Sequence, residues 1–387
     1  MRSAEVVVIG AGVIGASVAY HLALRGCGPV LVLERHAEPG RGSTGRATGG
    51  FRAQFGSEIN VRLSLLSREK LGRFEEELGV DPGYHPCGYL FLADDEVQLE
   101  ALREAQEVQR AAGFEEARVV APLEIGEINP AILAGELVGG VFCPTDGFIR
   151  PTEILRGYLE GAGRLGVRFE YGVECTGFEL DGAGRIVAVR TSSGEVAAGA
   201  VVNAAGAWAA LVALGAGLDL PVQPLRRQVA FTHPFDGLPE DMPMTIFTED
   251  GFHLRVRDGR VMLLWPDEPD VSDPFDQSVE DAWVEAVFER AVSRVPCLSR
   301  TSVDREMCKA GLYEVSPDGH ALLGRTPEVD NLYLANGSSG HGVMHAPALG
   351  QLLAEIIVDG VASTLDARAL RPSRFAESEP NLAPTLL

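Results

Sequence analysis

The chain has 387 residues, of which 46% are hydrophobic and 23% are charged, as in globular proteins with a substantial core. At roughly 150 residues per domain, this length predicts two or three domains. The formal net charge of −22 argues against nucleic acid and anionic membrane surfaces as partners, because both are polyanions, and any site for an acidic substrate therefore needs local positive charge.

The first 35 residues predict a βαβ unit. Residues 4–9, AEVVVI, are a short apolar run typical of a strand that is buried on both faces. The segment GAGVIG follows, and then a stretch of helical length that ends at Gly26. PVLVLE at 29–34 predicts a second buried strand, so the order strand, helix, strand implies a parallel sheet.

The next segments mix a loop with helices and a strand. Residues 40–56 are so rich in glycine that they predict a loop whose backbone passes close to a ligand. Residues 61–79 and 95–112 have the pattern of helices, and residues 88–93, GYLFLA, predict a strand between them.

The second half of the chain predicts mainly strands and two long helices. Residues 170–205 contain short runs separated by the turn sequences DGAGR and SSGE, a pattern that predicts a meander. Residues 224–265 alternate again and predict a mixed or antiparallel sheet with one solvated face. Helices are predicted from the acidic residues at 273 to about 295 and over 346–360, with a strand at 331–335.

The glycines after the first strand match the dinucleotide-binding fingerprint G-x-G-x-x-G. Gly10 allows a tight turn, Gly12 lets the backbone approach a pyrophosphate, and Gly15 lets the helix pack closely on the strand. Glu34 ends the second strand, where a carboxylate accepts hydrogen bonds from a ribose hydroxyl and disfavours NADP. The fingerprint predicts a dinucleotide site but does not separate NAD from FAD.

Cysteine spacing and hydropathy bear on compartment and metal binding. The six cysteines form no C-x-x-C pair and no zinc-finger spacing, so we expect reduced thiols, a cytoplasmic location and no metal site. His341 and His345 stand four residues apart and could share a helix face, but no carboxylate motif accompanies them. A membrane span takes about 18 apolar residues or more, and no run of that length predicts one here.

A series of longer motifs follows the chain from end to end. In order they are VVVIGAGVIGASVAYHLALRG, GRGSTGRATGGFRAQFG, CGYLFLA, PTDGFIRP, VVNAAGAW, GLYEVSPDGHALLG and NGSSGHGVMHAPALGQLLAEII. This series resembles the D-amino-acid-oxidase-like superfamily of FAD amine oxidoreductases. Within it, the chain is similar to monomeric sarcosine oxidase, glycine oxidase and the β subunits of sarcosine oxidase and L-proline dehydrogenase. The resemblance covers nearly the whole chain.

The resemblance implies an α/β fold, α+β overall, with a Rossmann-like FAD-binding domain and a substrate domain on a mixed or antiparallel sheet. We expect the FAD-binding domain over residues 1–85, 146–217 and 316–387. The substrate domain is expected over residues 86–145 and 218–315.

The resemblance also implies which residues contact FAD. The expected contacts are Gly10, Gly12, Val13, Ile14, Gly15, Glu34, Arg35, Gly42, Ser43, Thr44, Arg46, Ala47, Thr48, Gly49, Val173, Ala205, Gly206, Trp208, Gly311, Gly340, His341, Gly342, Val343 and Met344. Non-covalent FAD is expected, because the attachment cysteine of monomeric sarcosine oxidase matches Gly311.

Several of these residues leave two interpretations open. Ser43 and Thr44 offer hydroxyls near the pyrophosphate or only cap a turn, and Arg46 pairs with phosphate or lies in solvent. Gly340, His341 and Gly342 begin the last long helix, whose positive end favours a reduced flavin; His341 contacts the flavin or only caps the helix.

The implied chemistry is hydride transfer from a substrate carbon to flavin N5, which turns an amine into an imine. Arg52 matches the family arginine that binds the substrate carboxylate, although it could instead pair with an acid of the protein. Tyr313 belongs to the substrate cage or only packs. His253 faces the pocket or is structural.

The expected substrate is a small or secondary amino acid such as sarcosine, proline or glycine. Sarcosine oxidases carry a second, lysine anchor where this chain has Met344, and an oxygen-activating lysine on a strand that corresponds to RVMLLWPDE, near Trp265. The first difference argues against a two-point carboxylate clamp and for a more apolar pocket, and the second favours a dehydrogenase. Lys309 is expected on the flavin side, and the roles of Cys308 and Lys309 stay open.

Four functions remain possible from the sequence. The chain could be a free-standing enzyme that uses molecular oxygen, or the β subunit of a hetero-oligomer that passes electrons to a partner. It could also be a non-catalytic FAD-binding protein, or an oxidoreductase of 2-hydroxy acids.

Overall fold

The computed structural model describes residues 2–267 and 273–381. Its strands are β1 (Arg2–Ile9), β2 (Val30–Glu34), β3 (Gly50–Phe51), β4 (Tyr89–Ala93), β5 (Arg118–Val120), β6 (Gly139–Cys143), β7 (Gly147–Phe148), β8 (Arg168–Tyr171), β9 (Cys175–Leu180), β10 (Ile186–Thr191), β11 (Gly194–Asn203), β12 (Gln223–Phe231), β13 (Met244–Phe247), β14 (His253–Arg257), β15 (Arg260–Leu264), β16 (Lys309–Val315), β17 (Leu322–Arg325) and β18 (Leu332–Asn336). Its α-helices are α1 (Val13–Leu24), α2 (Ser43–Arg46), α3 (Glu58–Gly72), α4 (Phe74–Leu78), α5 (Glu96–Ala111), α6 (Pro122–Ile128), α7 (Pro151–Arg164), α8 (Ala209–Leu214), α9 (Asp281–Arg294) and α10 (Gly342–Asp359).

The first large sheet contains the predicted βαβ unit. Its strand order is β17-β18-β11-β1-β2-β8, and β9 and β10 extend it through β11. The pairs of β1 with β2 and β11, of β2 with β8, and of β11 with β18 are parallel. Helix α1 packs between α7 and α10 on this sheet, and its residues from Val13 to Leu22 are buried, which explains why it is apolar on every side.

The second large sheet has the order β16-β12-β15-β14-β13-β4-β6-β5. All its pairs are antiparallel except β13 with β4, so the predicted mixed sheet is confirmed. One face packs on α9 through a core that includes Leu254, Trp283 and Val287. The opposite face, which the sequence predicts to be solvated, forms the wall of a large cavity instead.

Three predicted elements differ from the structure. The glycine-rich loop at 40–56 contains the short helix α2 and the strand β3, and the helix predicted at 61–79 is divided into α3 and α4. The helix predicted from residue 273 begins only at Asp281. Asp276 lies before the helix and Glu280 is its N-cap residue, but their side chains form ion pairs with the buried Arg226 of β12 and do not cap the helix.

The two sheets draw on separate parts of the chain. The first sheet uses residues 2–34, 168–203 and 322–336, and the second uses residues 89–143 and 223–315. The division of the chain into two discontinuous domains stays a prediction.

The structure also describes the cysteines and the helices that bear on location. All six cysteines are free thiols. Within the described residues, no helix combines the length and apolarity needed to cross a membrane, and no group of three or more His, Cys, Asp or Glu side chains could hold a metal ion. The cytoplasmic location stays a prediction.

Candidate functional site

A cavity of about 1440 Å³ lies between the two large sheets. It brings together nearly all the residues that the motifs single out. Its lining includes Gly10, Gly12, Val13, Ile14, Glu34, Arg35, Gly42, Ser43, Thr44, Arg46, Ala47, Thr48, Gly49, Arg52, Val173, Ala205, Gly206, Trp208, His253, Gly311, Tyr313, Gly340, His341, Gly342, Val343 and Met344. Gly15 is the exception: a Cβ on it would lie 2.0 Å from the carbonyl oxygen of Gly10, so it serves the packing of α1.

The turn between β1 and α1 has room only for backbone. Gly10 has a φ of +107°, and a Cβ there would lie 2.4 Å from the carbonyl oxygen of Ala204 at the end of β11. At the start of α1, the N–H of Val13 donates to the hydroxyl of Thr44 at 3.1 Å. Thr44 therefore caps α1, and its own hydroxyl hydrogen stays available to a ligand.

The carboxylate of Glu34 is fixed at the edge of the cavity. One oxygen accepts the N–H of Ala11 at 3.0 Å and the other accepts the N–H of His36 at 2.9 Å. The N–H of Val173 donates to the carbonyl oxygen of Glu34 at 2.9 Å, which joins the start of the meander to the end of β2.

Helix α2 is tied across the cavity to β16 of the second sheet. The hydroxyl of Ser43 donates to the carbonyl oxygen of Leu312 at 2.6 Å, and the guanidinium of Arg46 donates to that of Ala310 at 2.8 Å. Arg46 thus binds backbone, a partner that neither sequence interpretation included. A Cβ on Gly311 would lie 3.0 Å from the Cβ of Arg46, so this crossing is tight.

An aromatic stack borders the dinucleotide side of the cavity. The guanidinium carbon of Arg35 lies 3.8 Å from the ring centre of Trp208, and the ring of Phe275 stacks on the same indole at 5.5 Å. This stack gives the cavity a flat, cationic border beside Glu34.

Strand register decides which side chains of the second sheet face the cavity. His253 pairs with Ile246 on one side and with Leu264 on the other, and side chains of directly opposed residues lie on the same face. Leu225 pairs with Tyr313 in the same way. All five line the cavity.

Arg52 follows β3 and is buried, with 5% of its surface exposed. Its guanidinium donates to the carbonyl oxygen of Gln54 at 2.9 Å and to Nε2 of His341 at 3.2 Å, and its central carbon lies 4.3 Å from the ring centre of Phe55. Burial lowers the pKa of Arg52, but a guanidinium keeps its charge in proteins.

Two histidines at the start of α10 support Arg52: His341, the half-buried residue before its first turn, and the buried His345. Because a guanidinium only donates, Nε2 of His341 accepts, so the imidazole is neutral with its hydrogen on Nδ1. Ser64 donates to the carbonyl oxygen of Arg52 at 2.7 Å and therefore accepts from Nε2 of His345 at 2.9 Å. Burial and the charge of Arg52 lower the pKa of His341 well below its ordinary value, and that of His345 to about 3.

A buried carboxyl group supports the same loop. Asp146, in the PTDG motif, accepts the N–H of Ala53 at 2.8 Å and the amide of Gln54 at 3.1 Å. Burial raises its pKa to about 6. The motif marked this segment, but the contact of Asp146 with the loop around Arg52 could not be inferred from it.

Tyr313 and His253 add neutral polar groups to the wall. A Cβ on Gly340, where φ is +93°, would lie 2.5 Å from the ring of Tyr313, so the start of α10 needs glycine beside this ring. His253 donates from Nδ1 to the carbonyl oxygen of Gly251 at 2.8 Å, which leaves Nε2 as an acceptor. Burial, and to a lesser extent the charge of Arg52, lowers the pKa of His253 to about 4.

Residues 5–356 match the DAO family, described as FAD dependent oxidoreductase. The chain belongs to this family.

Relatives of the DAO family match nearly the whole chain. FAD-dependent oxidoreductase domain-containing protein 1 of Xenopus laevis is 32% identical over 98% of this chain and 84% of its own length. The mitochondrial sarcosine dehydrogenase of Mus musculus is 29% identical over 92% of this chain, which spans only 40% of that protein.

Two solved structures share the fold closely. L-proline dehydrogenase from P. horikoshii superimposes with a TM-score of 0.90 at 30% identity, covering 98% of this chain and 100% of the other. Glycine oxidase from Geobacillus kaustophilus gives 0.85 at 25% identity, covering 97% and 99%. The predicted fold, family and enzyme class are thus confirmed.

The cavity fits the FAD that DAO enzymes use. It is larger than the 300–1,000 Å³ or so of ordinary ligand pockets, as a dinucleotide together with a substrate requires. The side-chain-free turn at Gly10, the N-terminus of α1 and the fixed carboxylate of Glu34 provide for pyrophosphate and ribose. The chain is therefore an FAD-dependent oxidoreductase.

The structure bears on two further residues that the family comparison singled out. Trp265 lines the cavity next to Leu264, and Arg290 of α9 lies 3.6 Å from its ring centre. Lys309 lies outside the cavity lining, with its ammonium group 5.7 Å from the ring centre of Phe231. Cys308 donates to the carbonyl oxygen of Asp304 at 3.4 Å.

Several lining residues of the second sheet were missed by sequence reasoning. They are Tyr89, Leu225, Arg227, Met244 and Ile246. Because side chains alternate between the two faces of a strand, only every second residue can face the cavity. Which of the two alternating sets does so depends on the pairing with the neighbouring strand.

Proposed function

We propose that this FAD-dependent oxidoreductase oxidises the C–N bond of a small or secondary amino acid to an imine, which water then hydrolyses. The buried guanidinium of Arg52 in the cavity wall is the observation that carries the proposal. In a chain of net charge −22 it supplies the local positive charge that a carboxylate substrate needs.

Each neighbouring residue has a role in binding. Arg52 pairs with the substrate carboxylate through a planar fork that matches two oxygens. His341 accepts from one side of the guanidinium and the carbonyl of Gln54 accepts from the other, which sets the direction of the fork. His253 and Tyr313 offer polar contacts but are neutral. Neither side chain therefore supplies an anion that would hold the substrate amine in its ammonium form.

When bound, FAD supplies the two-electron acceptor for the hydride that leaves the substrate carbon. As the carbon loses that hydride, the nitrogen contributes its lone pair, and the C–N single bond becomes a double bond. The substrate amine must therefore be neutral.

We further propose that the enzyme is a dehydrogenase whose electrons pass to a partner rather than to oxygen. The apolar Leu264 in the wall and the absence of lysine from 260–267 support this proposal. The names of the mouse sarcosine dehydrogenase and of the P. horikoshii L-proline dehydrogenase agree with it. A hetero-oligomer stays a prediction.

An anaerobic substrate panel tests the proposal. The purified holoenzyme is mixed with sarcosine, proline, glycine and their 2-hydroxy-acid counterparts, and the flavin absorbance is followed. We expect bleaching by an amine and none by hydroxy acids. Bleaching by hydroxy acids alone, or by no compound, overturns the proposal. Reoxidation of the bleached enzyme by a dye acceptor at least 100-fold or so faster than by air supports a dehydrogenase.

A further inference from the structure

A second arginine lies in the cavity wall on the second sheet. Arg227 of β12 pairs directly with Gly311 of β16, and the pair two residues along the same face is Leu225 with Tyr313. Directly opposed side chains share a face, so Arg227 and Tyr313 belong to the same wall. Gly311 has no side chain, and the side chain of Arg46 packs over it from α2.

Arg52 and Arg227 act on one common space. Both residues line the same cavity as His253 and Tyr313. Tyr313 connects them: its ring packs against Gly340, next to the His341 that accepts from Arg52, and its strand partner Leu225 lies two residues from Arg227 on the same face. The two arginines therefore border the part of the cavity beside Tyr313, and the positive charges of both also lower the pKa of His253, for which burial is the larger cause.

The hydrogen bonds of Arg227 within the described residues use only some of the N–H groups of its guanidinium. One terminal nitrogen donates to the carbonyl oxygens of Arg226 at 3.2 Å and Asp267 at 2.7 Å. Within residues 2–267 and 273–381, the other N–H groups have no partner and no carboxylate forms an ion pair with Arg227. The carboxylate of Asp267 binds the amide of Gln228 instead.

The neighbouring arginine shows the opposite arrangement. Arg226 lies on the other face of β12 and forms ion pairs with Asp276 and Glu280. Two acids thus pair with the arginine that faces away from the cavity, whereas the one that lines it donates to carbonyl groups. This contrast is what a site for an external anion requires.

We propose that Arg227 binds a second carboxylate of the substrate, and that the substrate class is an amino or imino acid with two carboxylates. This inference rests on the proposed function, in which Arg52 binds the carboxylate next to the reacting carbon. Two guanidiniums that face one space repel each other, and a dianion relieves that repulsion while filling both forks. A monocarboxylate such as sarcosine satisfies Arg52 alone.

A purely structural role is the competing explanation, since Arg227 also ties β12 to the backbone at Asp267. The two explanations differ in what they predict for ligands. A structural arginine affects all ligands alike, whereas a binding arginine affects only those that carry the second carboxylate.

Two thioether acids test this difference, because they have no C–N bond to oxidise. Thiodiacetate carries two carboxylates, and methylthioacetate carries one. Isothermal calorimetry on the holoenzyme should give a Kd for thiodiacetate about 10- to 100-fold lower than for methylthioacetate, as expected for an added charge-assisted pair. Equal affinities in the unmodified enzyme overturn the proposal without any variant.

The variant Arg227→Gln should abolish the preference, with the Kd of methylthioacetate unchanged within about 3-fold. Arg227→Lys keeps the charge but loses the fork and should retain part of the preference. Flavin content and melting temperature serve as the folding control. Weakening of both ligands by the same factor in Arg227→Gln contradicts the proposal.

Failure of this inference is distinguishable from failure of the proposed function. If monocarboxylate amines bleach the flavin but iminodiacetate has no advantage over sarcosine, only the second subsite is wrong. If no amine bleaches the flavin, the proposed function itself is wrong.

Discussion

Replacing Arg52 by alanine tests the substrate anchor directly. The guanidinium can offer two charged hydrogen bonds to a carboxylate, each worth about 1.5–3 kcal/mol, so we expect kcat/KM to fall by about 10²- to 10⁴-fold. Most of the loss should be in KM, because the carboxylate is bound alike before and during the reaction. The carbonyl of Gln54 and Nε2 of His341 lose their donor as well, so part of the loss reflects a less ordered loop.

The assay is anaerobic stopped-flow reduction of the flavin, with flavin content measured after denaturation. Arg52→Lys is the matched control: it keeps the charge without the fork and should lose less than alanine does. An amine substrate without a carboxylate should be oxidised equally by the three proteins. If Arg52→Ala keeps kcat/KM within about 3-fold for the carboxylate substrate while retaining FAD, Arg52 does not bind the substrate.

Three further predictions concern the cofactor turn and stability. Gly10→Ala places a methyl group against the carbonyl of Ala204, so the purified variant should contain little or no flavin by absorbance. Arg374→Leu leaves the buried carboxylate of Asp318 without its two bonds of 2.8 Å, which should lower the free energy of unfolding by about 3–5 kcal/mol in urea titrations; a loss below about 1 kcal/mol contradicts this. Hydrogen bonds lower the pKa of Glu355 to about 2, so its contribution is present above pH 4.5 and lost as the pH falls towards 2; the stability difference from Glu355→Gln should shrink over that window, and a constant difference contradicts the assignment.

Local sequence patterns predict those parts of the fold whose structure is determined by residues close together in the sequence. The βαβ unit was predicted because its apolar runs and its glycine turn report burial and backbone geometry directly. The start of α9 was not, because the carboxylates of Asp276 and of the N-cap residue Glu280 pair with Arg226, some 50 residues earlier, and do not cap the helix. Tertiary ion pairs of this kind leave no local pattern.

The same distinction applies to the site. Motifs brought Arg52, His341 and Tyr313 to attention, and the structure places them around one cavity. The sequence does not predict Arg227 as a cavity residue. The face of the sheet on which its side chain lies depends on the register of β12 against β16, which the sequence of either strand alone does not determine.

The ties from α2 to the backbone of β16 also bear on how firmly the cofactor is retained. They join α2 to the second sheet across the cofactor cavity, through hydrogen bonds that the side chains of Ser43 and Arg46 donate to main-chain carbonyls. Opening the cavity at this crossing breaks both hydrogen bonds, so flavin exchange in the folded enzyme is expected to be slow.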